Sequence, residues 1–307
     1  MADTKEILGF NVKSLATDPL TGGGAPAGTW AAGGNLNTGR QEMTGSGASQ
    51  DSALAFGGDN GPGVVALTEA YNGTGWTEVA DLNTARSLLG GTGLQGASLG
   101  IGGGTVNTEL WNGSGWTEVN NLNTSKSNNS CAGITTAAIS VGGGPDQQTQ
   151  VELWDGTSWT ETTEVNSAKN ASASSGTSTA TISAGGSPAG AVALTEIWNG
   201  SAWTEVADLN TARADSGSAG IQTEGIIFAG ERSGPAGGDT TMTEAWNGTS
   251  WTEVADMATA RFNVARGVFG TSTLALAAGG YRAVPGQSNL TEEWTVTDFT
   301  TKTFNTD

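Results

Sequence analysis

Hydrophobic residues in this chain are sparse and recur in short alternating bursts, without the stripes of an amphipathic helix. Between residues 86 and 116 the bursts read S-L-L-G-G-T-G, A-S-L-G-I-G-G-G, N-T-E-L-W and, opening at Trp116, W-T-E-V. Alternation of apolar and polar positions, bounded by Gly, Asn and Asp, predicts half-buried β-strands. Asn112-Gly113 separates the third burst from the fourth, and both residues of such a pair tolerate the positive φ of a tight hairpin. The same turn recurs at Asn72-Gly73, Asn199-Gly200 and Asn247-Gly248, with Asp155-Gly156 in the remaining complete copy.

This four-strand unit repeats. A tryptophan followed ten residues later by Arg or Lys occurs at Trp30/Arg40, Trp76/Arg86, Trp116/Lys126, Trp159/Lys169, Trp203/Arg213 and Trp251/Arg261, with spacings of 46, 40, 43, 44 and 48 residues between copies. That period belongs to a four-stranded propeller blade and not to a two-helix repeat. The third strands carry a Glu two residues before an aromatic: Glu69/Tyr71, Glu109/Trp111, Glu152/Trp154, Glu196/Trp198, Glu244/Trp246 and Glu292/Trp294. Trp30 has no blade ahead of it, and the blade opened by Arg261 has no tryptophan after Trp294. Pairing these two ends makes residues 28–36 the fourth strand of the last blade and removes the exposed sheet edges. T-T-K-T-F (300–304) is an alternative fourth strand. The expected fold is all-β, a six-bladed propeller over residues 28–307 whose last blade is closed by an N-terminal strand, preceded by an arm over 1–27. Small-residue runs such as A-S-A-S-S-G (171–176) and A-D-S-G-S-A-G (214–220) suit inner strands crowded about an axis. The repeated tryptophans, each burying ~150–250 Å², are expected to pack between blades, with sugar stacking as the alternative role.

An Arg opening each blade, a double glycine after the second strand, a Glu two residues before an aromatic and a Trp opening the fourth strand resemble kelch repeats, the blade type of the central domain of galactose oxidase. The likeness spans about residues 28–307. It implies the propeller fold but not the oxidase activity, whose copper radical site needs histidine and tyrosine ligands and a Cys–Tyr crosslink; this chain has no histidine and only Tyr71 and Tyr281. The phrase T-E-x-W-N-G-T-S-W-T-E-V-A-D-L-N-T-A-R and the lead E-I-L-G-F-N-V-K-S-L-A-T-D-P resemble kelch-type proteins encoded by marine bacteriophages. That resemblance implies a virion protein of a tail fibre or other surface appendage, assembled in the host cytoplasm and bound to other virion proteins.

Composition narrows the chemistry. With 30 acidic and 12 basic residues the net charge is −18, which argues against nucleic acid or an anionic membrane surface as partner. No run approaches the ~20 apolar residues of a membrane helix, and M-A-D-T-K-E-I-L-G-F has neither the basic nor the apolar region of a secretory signal. The lone Cys131 excludes an internal disulfide and is expected to be a small buried residue. Absence of histidine removes catalytic triads, His-containing metal sites and imidazole acid–base catalysis. The Glu that recur once per blade answer a repeated structural need, so they are expected to accept hydrogen bonds from the blade-opening Arg or Lys, in bidentate geometry, or from loop backbone. D-G-T-S-W (155–159) is one residue short of the Asp-box of sialidase propellers, and G-I-G-G-G (100–104) precedes no helix that would hold a phosphate. No cofactor is predicted. Acidic loops offer calcium hard oxygen ligands, but no segment has a calcium-loop spacing.

Antiparallel order puts the second-to-third and fourth-to-first connections on one face. The fourth-to-first loops are nearly constant, A-D-L-N-T-A-R or close to it, whereas the second-to-third loops differ: 59–65, 145–150, 187–192, 231–241 and 281–289. Variable loops on a constant scaffold carry recognition. Arg232, Asp239, Tyr281 and Arg282 are the candidate binding residues, because Tyr stacks on a sugar face and Arg forks two hydroxyls or a carboxylate; the alternative is solvated loop residues with no ligand. Leu8, Phe10 and Val12 alternate like a strand outside any blade, so the arm is expected to anchor to another subunit or virion protein by strand addition, or to pack on its own disc. The functional expectation is a non-enzymatic virion module attaching to a host-surface glycan or protein, with homo-oligomeric display raising a weak affinity. A decoration protein without ligand and a carbohydrate-active enzyme with paired carboxylates are the alternatives.

Overall fold

A computed structural model of the protein describes residues 28–144, 149–233, 238–267, 269–283 and 286–296. The arm with Leu8, Phe10 and Val12, and the segment 300–304, lie outside the described residues. Blade 2 shows the unit: Leu89–Leu94, Ala97–Gly102, Thr108–Trp111 and Trp116–Val119 pair antiparallel in chain order, from the axis outward. Blades 1, 3, 4 and 5 repeat this four-stranded sheet. The sixth sheet joins Leu274–Ala278 to Thr291–Val296 and then to the N-terminal strand Gly28–Ala32, with Gly28 opposite Val296 and Trp30 opposite Trp294. The chain is thus an all-β six-bladed propeller, closed by its N-terminal strand.

Inner strands lie so close together that glycine is needed where a neighbouring side chain occupies the gap. A Cβ added to Gly91 of blade 2 would stand 2.6 Å from Thr44 Oγ1 of blade 1. Blade 6 departs from the four-strand expectation. Among the described residues its regular sheet has three strands, and the inner position holds an irregular segment attached by single bridges, Phe269 to Gly47 and Gly270 to Ala275. Its sequence explains the departure: Arg266 interrupts the small-residue run, and Gly267 packs directly on the Gly45 backbone.

The tryptophans fill the blade interfaces and use their N–H groups in two regular ways. Trp111 of the third strand and Trp116 of the outer strand are cross-strand neighbours with ring centroids 5.5 Å apart. Third-strand indoles donate to a carbonyl in the first-to-second turn, as Trp111 Nε1 does to Gln95 O at 2.9 Å. Outer-strand indoles donate across the interface to a third-strand threonine of the preceding blade. These bonds join Trp116 to Thr68, Trp159 to Thr108, Trp251 to Thr195, Trp30 to Thr243 and, across the closure, Trp76 to Thr291. The remaining one, Trp203, is opposed by Val151, and its buried Nε1 has no partner. Where the third strand of blade 1 carries Tyr71 in place of Trp, the phenol serves the closure, donating to Glu293 Oε1 at 2.5 Å and accepting from Gly34 N at 3.1 Å.

A second network ties each fourth-to-first loop to the next blade. Arg86, buried like its counterparts, donates through Nη2 to Glu109 Oε1 at 2.8 Å and through Nη1 to the carbonyls of Gly102 and Asn107. The fork therefore spans one carboxylate oxygen and two carbonyls and is not bidentate to the carboxylate. Glu109 Oε2 accepts from the backbone N and the Nδ2 of Asn83 in the same loop. Arg40/Glu69 repeats the arrangement at the closure, where Asn37 is the loop residue. Where Lys replaces Arg the fork is lost: Lys169 Nζ donates to Leu194 O at 2.9 Å and stands 3.8 Å from Glu196 Oε1, which accepts from Ser167 N. Lys126 Nζ reaches only Gln150 O, at 2.9 Å, and Glu152 Oε1 is left buried without a partner.

Hairpin turns also differ from expectation. Only the glycine takes positive φ, 91° at Gly113, while Asn112 acts through its side chain, its Oδ1 accepting from Ser114 N and Gly115 N at 3.0 Å each. The loops are four residues long, so the asparagine caps a wider turn and does not share the φ requirement of a two-residue one.

Candidate functional site

The variable connections and the constant loops meet on one face, with the central channel opening between them. At the channel mouth a backbone ring closes on itself. Glu42, Leu88, Asn128, Ala171, Asp215 and Asn263 each follow a blade-opening cation by two positions and have φ between 52° and 58°. The N–H of each donates to the carbonyl of its counterpart in the preceding blade, in six hydrogen bonds of 2.7–3.1 Å that encircle the axis. A left-handed conformation costs a residue with a side chain about 1–2 kcal/mol, which the shared ring offsets.

Arg266 fills this mouth. Its guanidinium donates to Asn263 of its own blade, to Asp215 of blade 5 and to Asn128 of blade 3, across the channel. A buried cation held on three sides occupies the opening, and the variable loops lie outward of it. Neither the ring nor Arg266 was a sequence candidate. The ring uses backbone atoms only and leaves no residue signature; Arg266, a lone charge in a run of small residues, was the available signal.

Outward of the ring the four sequence candidates occupy two short ribbons. In blade 5, Glu231–Arg232 pairs with Gly238–Asp239, with Glu231 opposite Asp239. In blade 6, Tyr281–Arg282 pairs with Gly286–Gln287. Isolated bridges link Ala214 to Glu231, Thr240 to Arg261, and Phe262 to Tyr281, so the ribbons belong to one circumferential ladder with residues 261–262 between them. Tyr281 leans edge-on against Phe262, ring centroids 5.3 Å apart. Ladder neighbours extend the collar on both sides: Ser233 Oγ accepts from Ala191 N of blade 4, and Gln287 lies against Gly61 of blade 1. All four candidates are therefore in one sector, each half-buried. The tips 234–237 and 284–285, like part of the blade 3 loop (145–148), lie outside the described residues.

Charge is divided within this sector. Toward the axis, Glu231 has its carboxyl pKa raised by burial and by the negative charges of Asp215 and Asp239. Toward the rim, Arg261 is lowered to about 10 by burial, against the pull of Glu292, and the positive charge of Arg282 adds to the lowering. Among the described residues no group of three or more His, Cys, Asp or Glu is placed to hold a metal ion. The repeat-bound glutamates are committed to loop amides and, in every blade but the third, to blade-opening cations. Cys131 is buried, its thiol pushed up to about 12 by desolvation. No family model matches the chain, and no curated protein is significantly similar to it.

Proposed function

We propose that this propeller is a non-enzymatic, kelch-type module of a bacteriophage particle, part of a tail fibre or other surface appendage, that attaches to a host-surface glycan or protein. One observation carries the reading. Gly28 and Val296 pair at the outer end of blade 6, on the face opposite the variable ribbons. A disc whose first and last described strands end on one face and whose variable loops occupy the other is suited to being held from behind while its loops meet a surface. Residues 1–27 are then the attachment to other virion proteins, and repetition of the module in a particle multiplies a weak single-site affinity.

Binding of the purified protein to a glycan array and to a panel of marine bacteria, beside a form lacking residues 1–24, tests this. Attachment retained by the shortened form and lost on changing Tyr281 and Arg282 supports it. Absence of attachment by either form, even when multimerised, refutes it in favour of a decoration protein without ligand. A hydrolytic reading draws support from a different observation: Glu231 and Asp239 face one another across the blade 5 ribbon, and Glu231 holds its proton more tightly than a free carboxyl. Release of reducing ends from an array polysaccharide, abolished by Glu231→Gln, would establish that reading instead.

A further inference from the structure

The scaffold absorbs most of this chain's positive charge. The six blade-opening cations are buried beside their glutamates, and Arg266 is buried in the channel mouth. Among the described residues the remaining cations are Arg232 and Arg282, half-buried on neighbouring ribbons of one face. Elsewhere among the described residues of this protein of net charge −18, an anion meets no unburied counter-charge. Between these two arginines it meets attraction.

The ladder sets the spacing of the pair. From Arg232 on the first strand of the blade 5 ribbon, the ladder runs through its second strand and residues 261–262 to the strand bearing Arg282. Three strand spacings of ~4.8 Å put the two strands about 14 Å apart, a gap within the combined reach of two arginine side chains. Arg232 Nε is buried with no hydrogen-bond partner among the described residues. Tyr281, braced edge-on by Phe262, precedes Arg282 on the same strand. Glu231 and Asp239 face one another across the blade 5 ribbon, one position along the strand from Arg232.

We propose that Arg232 and Arg282 bind the carboxylate of an acidic sugar in a surface polysaccharide. The proposal rests on the attachment reading and names its ligand class. A uronic acid and a nonulosonic (sialic-type) acid share this chemistry. Two immobilised probe pairs separate them: polygalacturonate against its carboxyl-reduced form, and sialyllactose against lactose.

With the full chain, the expected result is binding to the carboxylated member of one pair at least tenfold tighter than to its neutral counterpart, weakening as NaCl is raised. Arg232→Gln and Arg282→Gln should each lower that affinity at least tenfold with an unchanged melting temperature, and Arg282→Lys should recover part of the loss. Equal binding to carboxylated and neutral members, or affinity untouched in the double Gln variant, overturns the acidic-sugar site and leaves attachment standing. Failure of the multimerised protein to bind either pair overturns the site as well. If it then also fails to bind cells and every other glycan on the array, the attachment reading falls with it.

Discussion

Replacing Val151 by Thr should stabilise this protein, a direction unusual for inserting a hydroxyl into a core. Five outer-strand indoles donate to a threonine Oγ1 of the preceding blade at 2.9–3.2 Å. The sixth, Trp203, is 6% exposed, faces Val151 at 1%, and its Nε1 is the one orphaned indole nitrogen among the described residues. Thr is nearly isosteric with Val and equally β-branched, so strand propensity and packing change little. An unsatisfied buried donor costs about 1–3 kcal/mol, and burying a hydroxyl without a strong acceptor for its own proton returns part of that. The net gain should be about 1 kcal/mol, or roughly 2 °C in melting temperature for a domain of this size.

Denaturant titration followed by tryptophan fluorescence measures it, with Thr108→Val as the mirror experiment. That second change creates a new orphan at Trp159 and should cost about 1–2 kcal/mol. In a Trp203→Phe background, which has no donor, Val151→Thr should lose its benefit and become destabilising. Destabilisation by Val151→Thr in the wild-type background, similar to that of Thr108→Val, would refute the assignment of the threonine hydroxyl as the indole's partner.

Other consequences can be checked in the same way. Lys126→Arg should give Glu152 Oε1 the donor that blades 1, 2, 5 and 6 already have, raising stability by about 1.5–3 kcal/mol in denaturant titration; no gain would mean that Glu152 is satisfied by solvent. Tyr71→Phe removes the hydroxyl that joins Glu293 to Gly34 at the closure, and should cost about 1–2 kcal/mol and speed opening of the N-terminal strand in hydrogen exchange. The Asp155 carboxyl, held down to about 2 by the Thr157 hydroxyl and the amides of Ser158 and Thr157, should titrate near that value by NMR. Because its folded pKa is depressed, its contribution is present above about 3.9 and lost as pH falls toward 2; a midpoint at the free-carboxylate value would show that the turn does not hold the charge.

Repetition explains which parts of this structure were legible in the sequence. Six copies report one environment six times, so the recurring Glu and the cation ten residues after each Trp implied a shared structural role, and the unmatched Trp30 and Trp294 revealed the closing strand. Features made by backbone escaped, because they impose no residue. The channel-mouth ring accepts Glu42, Leu88, Ala171 and Asn263 alike. Asn112 was read from its conformational tolerance when its side-chain oxygen is what organises the turn. The short ribbons escaped because two-residue strands among Gly and Pro carry no alternation to detect.

Departures from the repeat are informative for the complementary reason. Tyr71 stands where every other blade has Trp, at the one interface that must be made between chain ends. Ala258 stands where the other loops have Asn, and the loop keeps its backbone bond to Glu292 while losing the side-chain one. Arg266 falls in the one inner segment that does not form a regular strand. Net charge works the same way at the scale of the chain. An overall −18 describes a repelling surface, yet most of the few cations are spent inside the scaffold, where they attract nothing from outside. What can draw an anion is the remainder after the repeat has taken its share, and among the described residues that remainder is Arg232 and Arg282, on two adjacent ribbons.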